Sequence, residues 1–164
     1  NSSSATNATI TCPEINKINA TAKSMIQKTM WNLGGLSWDE GSVNELYESE
    51  RGIEVYSGHE TKLSDYIGLI YPSDYGFAST DESCGQNPNS NTCKNNNWLY
   101  NGVWYWTISP VSSTAYNVFY VCGGGNLSDN IALYRESVRP SVYLKSGIKI
   151  VSGSGTKDDM FKLG

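Results

Sequence analysis

The chain has 164 residues, enough for one domain with a proper core, and a formal net charge of −4. Only 17% of its residues are charged and it has no basic run, so the clustered Lys and Arg that phosphate-backbone binding needs are missing and no nucleic-acid partner is expected. No stretch approaches the ~20 apolar residues of a membrane span, so no membrane contact by this segment is expected either.

Sixteen Gly, eleven Tyr and five Trp favour a β-rich structure with many turns. Residues 1–11 (NSSSATNATIT) are polar and of low complexity, and read as a flexible N-terminal segment before one domain at 12–164. Asn1 opens a polar stretch with no signal peptide, as in a mature or trimmed ectodomain. Thr11-Cys-Pro-Glu14 has the form of a capping box with Pro in the first turn. Ile15, Ile18, Ala22, Met25, Ile26 and Met30 follow at helical spacing, and Gly34-Gly35 stops the pattern. Ser42-Val-Asn-Glu45 is a second capping box. Val43, Leu46 and Tyr47 then share one face of a short helix that Gly52 terminates.

From Ile53 the period changes to that of strands. Gly52–Tyr56 and Tyr66–Tyr71 are strand-like, and Pro72–Gly76 reads as a turn. Further strands are expected at Trp98–Tyr100, Trp104–Ser109, Tyr116–Val121, Ile131–Arg135, Ser141–Leu144 and Ile148–Val151. Gly123–Asn126 is a hairpin turn between two of them. Trp98, Trp104, Trp106, Tyr143 and Leu144 are assigned to the core, and Arg139 to a structural hydrogen-bond hub. There is no internal repeat.

Four cysteines occur, Cys12, Cys84, Cys93 and Cys122. An even count in a Gly- and Asn-rich acidic chain fits an oxidising compartment. Cys84 and Cys93 bracket GQNPNSNT, a loop with no apolar residue to hold it. A Cys84–Cys93 disulfide is therefore favoured, with Cys12–Cys122 left by elimination. Zinc is the rival, but there is no C-x2-C pair and His59 is the sole histidine.

Little here suggests chemistry. A nucleophile needs a base, and His59 sits in a polar, turn-like segment, which suits a surface residue. Ser73-Asp-Tyr-Gly76 is not a nucleophile elbow. The carboxylate pairs Asp39-Glu40, Asp81-Glu82 and Asp158-Asp159 are adjacent residues and do not face one another across a scissile bond. Asp129-Asn130 and Asp158-Asp159 remain open as oxygen ligands for calcium. No catalytic residue, metal or cofactor is assigned, and an enzyme is not expected.

Residues 98–146 point to a contact surface instead. Strand-like segments frame a centre rich in Ser, Asn, Tyr and Gly, residues that combine rigid contact area with adaptable hydrogen bonding. Ser112, Ser113, Tyr116, Asn117, Phe119, Asn126, Asp129, Asn130, Tyr134 and Glu136 are expected to form one exposed ligand-binding face around the Gly123–Gly125 turn. Strand alternation groups Phe119 with Asn117, so Phe119 is expected to be displayed.

Several motifs carry a family resemblance: WNLGG (31–35), Tyr47, Glu50-Arg51-Gly52, IGLIYPSDYGFA (67–78), Cys84 and Cys93 before NNNWLY (95–100), WTISP (106–110), VRPSVYLKS (138–146) and SGSGTKDDMFKL (152–163). In these the chain resembles bacterial extracellular and pilin-like proteins. Its second half is similar to the C-type-lectin-like fold of formylglycine-generating-enzyme relatives and of variable proteins of diversity-generating retroelements. The resemblance implies an α+β domain of C-type-lectin-like architecture, with two N-terminal helices before a mainly antiparallel β remainder. It implies an extracellular or cell-surface ligand-recognition or adhesion module. The partner would be a protein or glycan ligand, or other pilin subunits. A structural filament subunit and an enzyme of formylglycine-generating-like fold are the alternatives. The acidic and Trp-Asn-Asp motifs of calcium-dependent sugar sites are absent, and Cys122 lacks a positive neighbour to activate it.

Overall fold

The computed structural model describes residues 18–156 and 158–164. The proposed flexible segment 1–11, the Thr11–Glu14 cap and Cys12 lie outside the described residues. The described chain is α+β with mostly antiparallel sheets.

The first helix is much shorter than its periodicity suggests. α1 spans Ala20–Met25 and is capped by Asn19, whose side chain accepts from Ala22 N–H at 2.7 Å. The chain then leaves the helix for two strands, β1 (Ile26–Gln27) and β2 (Thr29–Asn32). Strand pairing overrides the helical spacing here. β1 pairs with a distant strand at Ile26↔Leu144, and β2 pairs Trp31↔Leu63. Trp31 becomes core while Met30 faces solvent, an alternation of period two.

α2 (Val43–Glu50) forms as expected. Ser42 Oγ accepts from Glu45 N–H at 3.3 Å, and the Glu45 carboxylate reaches back to Gly41 N–H at 2.7 Å and Ser42 Oγ at 3.1 Å. Residues 52–56, expected as a strand, run as loop. β3 (Lys62–Asp65) and β4 (Ile67–Leu69) follow. Pro72–Gly76 is a helix rather than a turn. α3 (Pro72–Phe77) has Pro at its first position, and Asp74 accepts from Tyr71 N–H at 3.0 Å, so the Pro-x-Asp pattern opens a helix. α4 (Glu82–Gln86) and a 3-10 helix (Asn91–Lys94) build the cysteine loop, which the Cys84–Cys93 disulfide closes.

The remaining strands are β5 (Tyr105–Pro110), β6 (Asn117–Val121), β7 (Leu127–Ile131), β8 (Ser137–Val138), β9 (Pro140–Leu144), β10 (Ile150–Ser152) and β11 (Lys162–Leu163). The main sheet has the order β7-β6-β5-β8, antiparallel except for the β5–β8 pair. A second sheet is ordered β1-β9-β4, and β2-β3 and β10-β11 form two-stranded ribbons.

The core lies between the main sheet and α2, α3 and the disulfide loop. It gathers Leu36, Leu46, Ile70, Tyr75, Leu99, Tyr105, Val111, Phe119, Val121 and Leu127 around Cys84 and Cys93. Each large side chain removed from water there contributes roughly 1.5–3 kcal/mol. Two tyrosines take places expected of tryptophan. Tyr75 Oη donates to the Gly125 carbonyl at 3.0 Å and Tyr105 Oη to the Leu99 carbonyl at 3.1 Å, so each phenol is buried with its hydroxyl satisfied. Trp98, Trp104, Tyr143 and Leu144, assigned to the core from sequence, are exposed, and Trp106 is half-buried against Tyr120. Arg139 stacks its guanidinium 4.5 Å above the Tyr105 ring, a structural role as expected, though through the ring face rather than hydrogen bonds.

Candidate functional site

Two backbone joints place the loop at 53–61 opposite the main sheet, and a third between them ties the same segment to α2. Leu33 N–H donates to the Thr61 carbonyl at 2.8 Å, Gly34 N–H to Glu50 at 3.0 Å and Gly35 N–H to Glu54 at 2.7 Å. Leu36 N–H then donates to Pro110 at 2.9 Å, and Ser112 N–H returns to Leu36 at 2.9 Å. The glycines of WNLGG are demanded by this approach. A Cβ on Gly34 would meet the Ser49 carbonyl oxygen at 2.1 Å, and one on Gly35 the Ser112 Cα at 2.7 Å.

The result is an open groove of about 430 Å3 between Gly58-His59-Glu60 on one side and Ile108, Pro110 and Tyr116–Val118 on the other. Tyr116 is 47% exposed at its edge. His59 N–H donates to Tyr56 at 3.0 Å and the two rings lie 5.6 Å apart, which orders the loop tip. Asn117 Nδ2 donates to Asp129 Oδ2, while Asn117 Oδ1 is buried with no hydrogen-bond partner. An unpaired buried acceptor costs about 1–3 kcal/mol, and departures of this kind concentrate at functional positions.

The residues expected on one face divide into several groups. The β6–β7 hairpin does bring the two halves of the set together, with Asn117↔Ile131, Val118↔Asn130 and Phe119↔Asp129. Phe119, however, is 1% exposed and belongs to the core. Alternation grouped Asn117 with Phe119, and the β6–β7 pairing brings Asp129 to their side, but Trp38 covers that side. Its ring packs 4.8 Å from Phe119 and its Nε1–H donates to Asp129 Oδ1 at 2.9 Å. Ser112 is tied to Leu36, Asn126 Nδ2 donates to the Leu127 carbonyl at 3.1 Å, and Asn130 Oδ1 accepts from Ile131 N–H at 2.8 Å. These three are half-buried; the bonds of Asn126 and Asn130 are local, while that of Ser112 crosses to the WNLGG segment. Ser113 and Tyr134 are exposed, and Glu136 is half-buried. Of the expected set, Tyr116 and Asn117 line the groove.

Sequence reasoning missed the other wall. His59 read as an isolated surface residue because its loop reaches the groove only through long-range hydrogen bonds from Leu33 and Gly35. It also missed a buried joint. The Glu50 carboxylate is fully buried, accepts from Ser73 N–H at 2.8 Å and from Ser73 Oγ, and pairs with Arg51 Nη1 at 3.2 Å. The Arg51 guanidinium stacks 3.4 Å over the Tyr47 ring. Burial pushes the Glu50 carboxyl up to about 7, against the pull of Ser73 and Arg51. A Ser–Glu pair can serve as nucleophile and base, but both side chains are enclosed, and the pair works as a clamp between α2 and α3.

Cys122 is buried and makes no disulfide among the described residues, while the partner expected for it, Cys12, lies outside them. Burial raises the Cys122 thiol pKa. Among the described residues, no three His, Cys, Asp or Glu side chains are grouped to hold a metal ion, and no helix is long and apolar enough to cross a membrane.

A family model described as a domain of unknown function (DUF6273) matches residues 9–146. That match covers the groove and the Glu50 clamp. No curated protein and no solved structure matches the chain.

Proposed function

We propose that this chain, which belongs to the DUF6273 family, is an extracellular ligand-recognition or adhesion module of C-type-lectin-like architecture that works without a catalytic centre. The observation that carries the reading is the groove. It is open, about 430 Å3 in size, edged by the exposed Tyr116 ring and walled by a loop that backbone hydrogen bonds from Leu33 and Gly35 hold in place. Binding sites are concave and largely preformed, and tyrosine gives contact area at low entropic loss. The Cys84–Cys93 disulfide supports an oxidising compartment outside the cell. The lectin-like assignment draws support from the α+β arrangement, in which four short α-helices precede a mostly antiparallel main sheet, and from the motif resemblance.

The test is binding of the intact protein to an array of glycans and extracellular proteins, beside Tyr116→Ala and His59→Ala variants. The reading expects a saturable partner whose binding weakens about tenfold or more in both variants while their melting temperatures hold, since groove-edge side chains that act as anchors carry 1–2 kcal/mol or more each. Unaltered binding by both variants would remove the groove from the account.

A second reading, a structural subunit of a filament, rests on the C-terminal strands. Ile150 and Val151 on β10 and Met160 and Phe161 just before β11 are all exposed. Light scattering over a concentration series decides it, because a subunit of this kind assembles and a monodisperse monomer does not.

A further inference from the structure

A second hollow of about 380 Å3 lies beside α3 and shares no lining residue with the groove. Asp74, Phe77, Trp98 and Ser141 face it. Trp98 is 79% exposed although it stands between two buried residues, Asn97 and Leu99. Its backbone is clamped on both sides. Asn97 Nδ2 donates to the carbonyls of Tyr75 at 2.8 Å and Cys93 at 2.9 Å, and Asn97 Oδ1 accepts from Leu99 N–H at 2.9 Å. The Leu99 carbonyl is held in turn by the Tyr105 hydroxyl. Asn96, two residues before the indole, adopts a left-handed φ of 49°, which non-glycine residues rarely enter.

A lone exposed apolar residue needs no explanation. This indole differs because it sits on a rigid mount at the rim of a concavity that also holds polar groups. Phe77, 55% exposed, adds a second aromatic surface. Asp74 Oδ2 is occupied by the Tyr71 N–H, which leaves Oδ1 for a ligand, and Ser141 supplies a hydroxyl. No Lys, Arg or His lines the hollow, so beside Asp74 an anion is disfavoured. The complementary ligand is neutral, with one flat C–H face and a rim of hydroxyls.

We propose that this hollow is a calcium-independent sugar subsite. Trp98 stacks on the C–H face of a neutral pyranose ring, Asp74 Oδ1 accepts from a ring hydroxyl, and Ser141 Oγ bonds a neighbouring one. The stacking removes apolar surface of both partners from water, and the clamped backbone means little ordering is lost on binding. The subsite stands independently of the groove reading.

Calorimetric titration of the intact protein in EDTA with chitopentaose, cellopentaose and maltopentaose tests it. At least one oligosaccharide should bind saturably at millimolar concentration. Trp98→Ala should weaken that binding by about tenfold or more, and Trp98→Phe by less. Asp74→Asn, which keeps the acceptor that caps α3, should weaken it too. Tyr134→Ala, an exposed aromatic that lines neither the groove nor this hollow, should bind as the parent does. Absence of binding by all three sugars, or equal binding by a folded Trp98→Ala variant, would overturn the proposal.

Discussion

Phe119 shows how little alternation alone decides. Its neighbour Asn117 argued for exposure, yet Trp38, about eighty residues earlier in the chain, lies over both. Phe119→Ala is therefore a core truncation and should destabilise by about 3–5 kcal/mol, whereas Tyr134→Ala, at 57% exposure, should stay within about 0.5 kcal/mol. Urea denaturation of the two variants checks the contrast. Glu50 makes a second claim at this scale. Its carboxyl, ordinarily near 4.5, titrates at about 7 in the fold because it is buried. The folded state thus holds its proton more tightly than the unfolded chain. The linked stability is fully present below pH 4.5 and is lost as pH rises through 7, on the order of 3 kcal/mol in all. Melting temperature should fall from pH 5 to pH 8 in the parent protein, and fall less in Glu50→Gln, which cannot titrate. An equal fall in both would show that Glu50 does not carry the dependence.

Among the elements, those specified by neighbouring residues were legible and those specified at long range were not. The Ser42–Glu45 capping box predicted α2 because its cap, its carboxylate and its apolar face all lie within nine residues. The Gly123–Asn126 turn was legible for the same reason. Among the described residues, the helical spacing from Ile18 to Met30 misled because β9 and β3 supply strand partners far along the chain. Aromatic side chains were misplaced because the chain has more of them than its core can enclose, and composition does not say which stay out. Tyr116 and Asn117, both in the expected set, line the groove, but the His59 wall depends on joints that only the folded WNLGG segment creates. Gly34→Ala tests those joints. Its Cβ would press on the backbone of Ser49, so the variant should lose about 1–3 kcal/mol or more and loosen the 53–61 loop. Hydrogen exchange at Thr61–Leu63 should rise with it, and an unchanged exchange pattern would speak against the joint.

For the whole molecule, α2, α3, the disulfide loop and the main sheet form one core, while the β10–β11 ribbon pairs within itself and leaves its apolar side chains in water. The disulfide closes a short polar loop with a separation of nine residues, whose constraint is worth about 2–3 kcal/mol by loop entropy. Reduction should lower the melting temperature by roughly 4–12 °C for a domain of this size. That loop also buttresses Asn97, and with it the Trp98 mount, so reduction should weaken oligosaccharide binding before the protein unfolds. The central claim is that this chain recognises a ligand through a preformed groove. The most direct measurement is backbone amide chemical-shift mapping of the intact protein titrated with the tightest partner from the glycan and protein array. The account predicts saturable shifts at Gly58–Glu60, Tyr116–Val118 and Ala132, with the rest of the main sheet unmoved. Shifts that avoid all of these positions would contradict it.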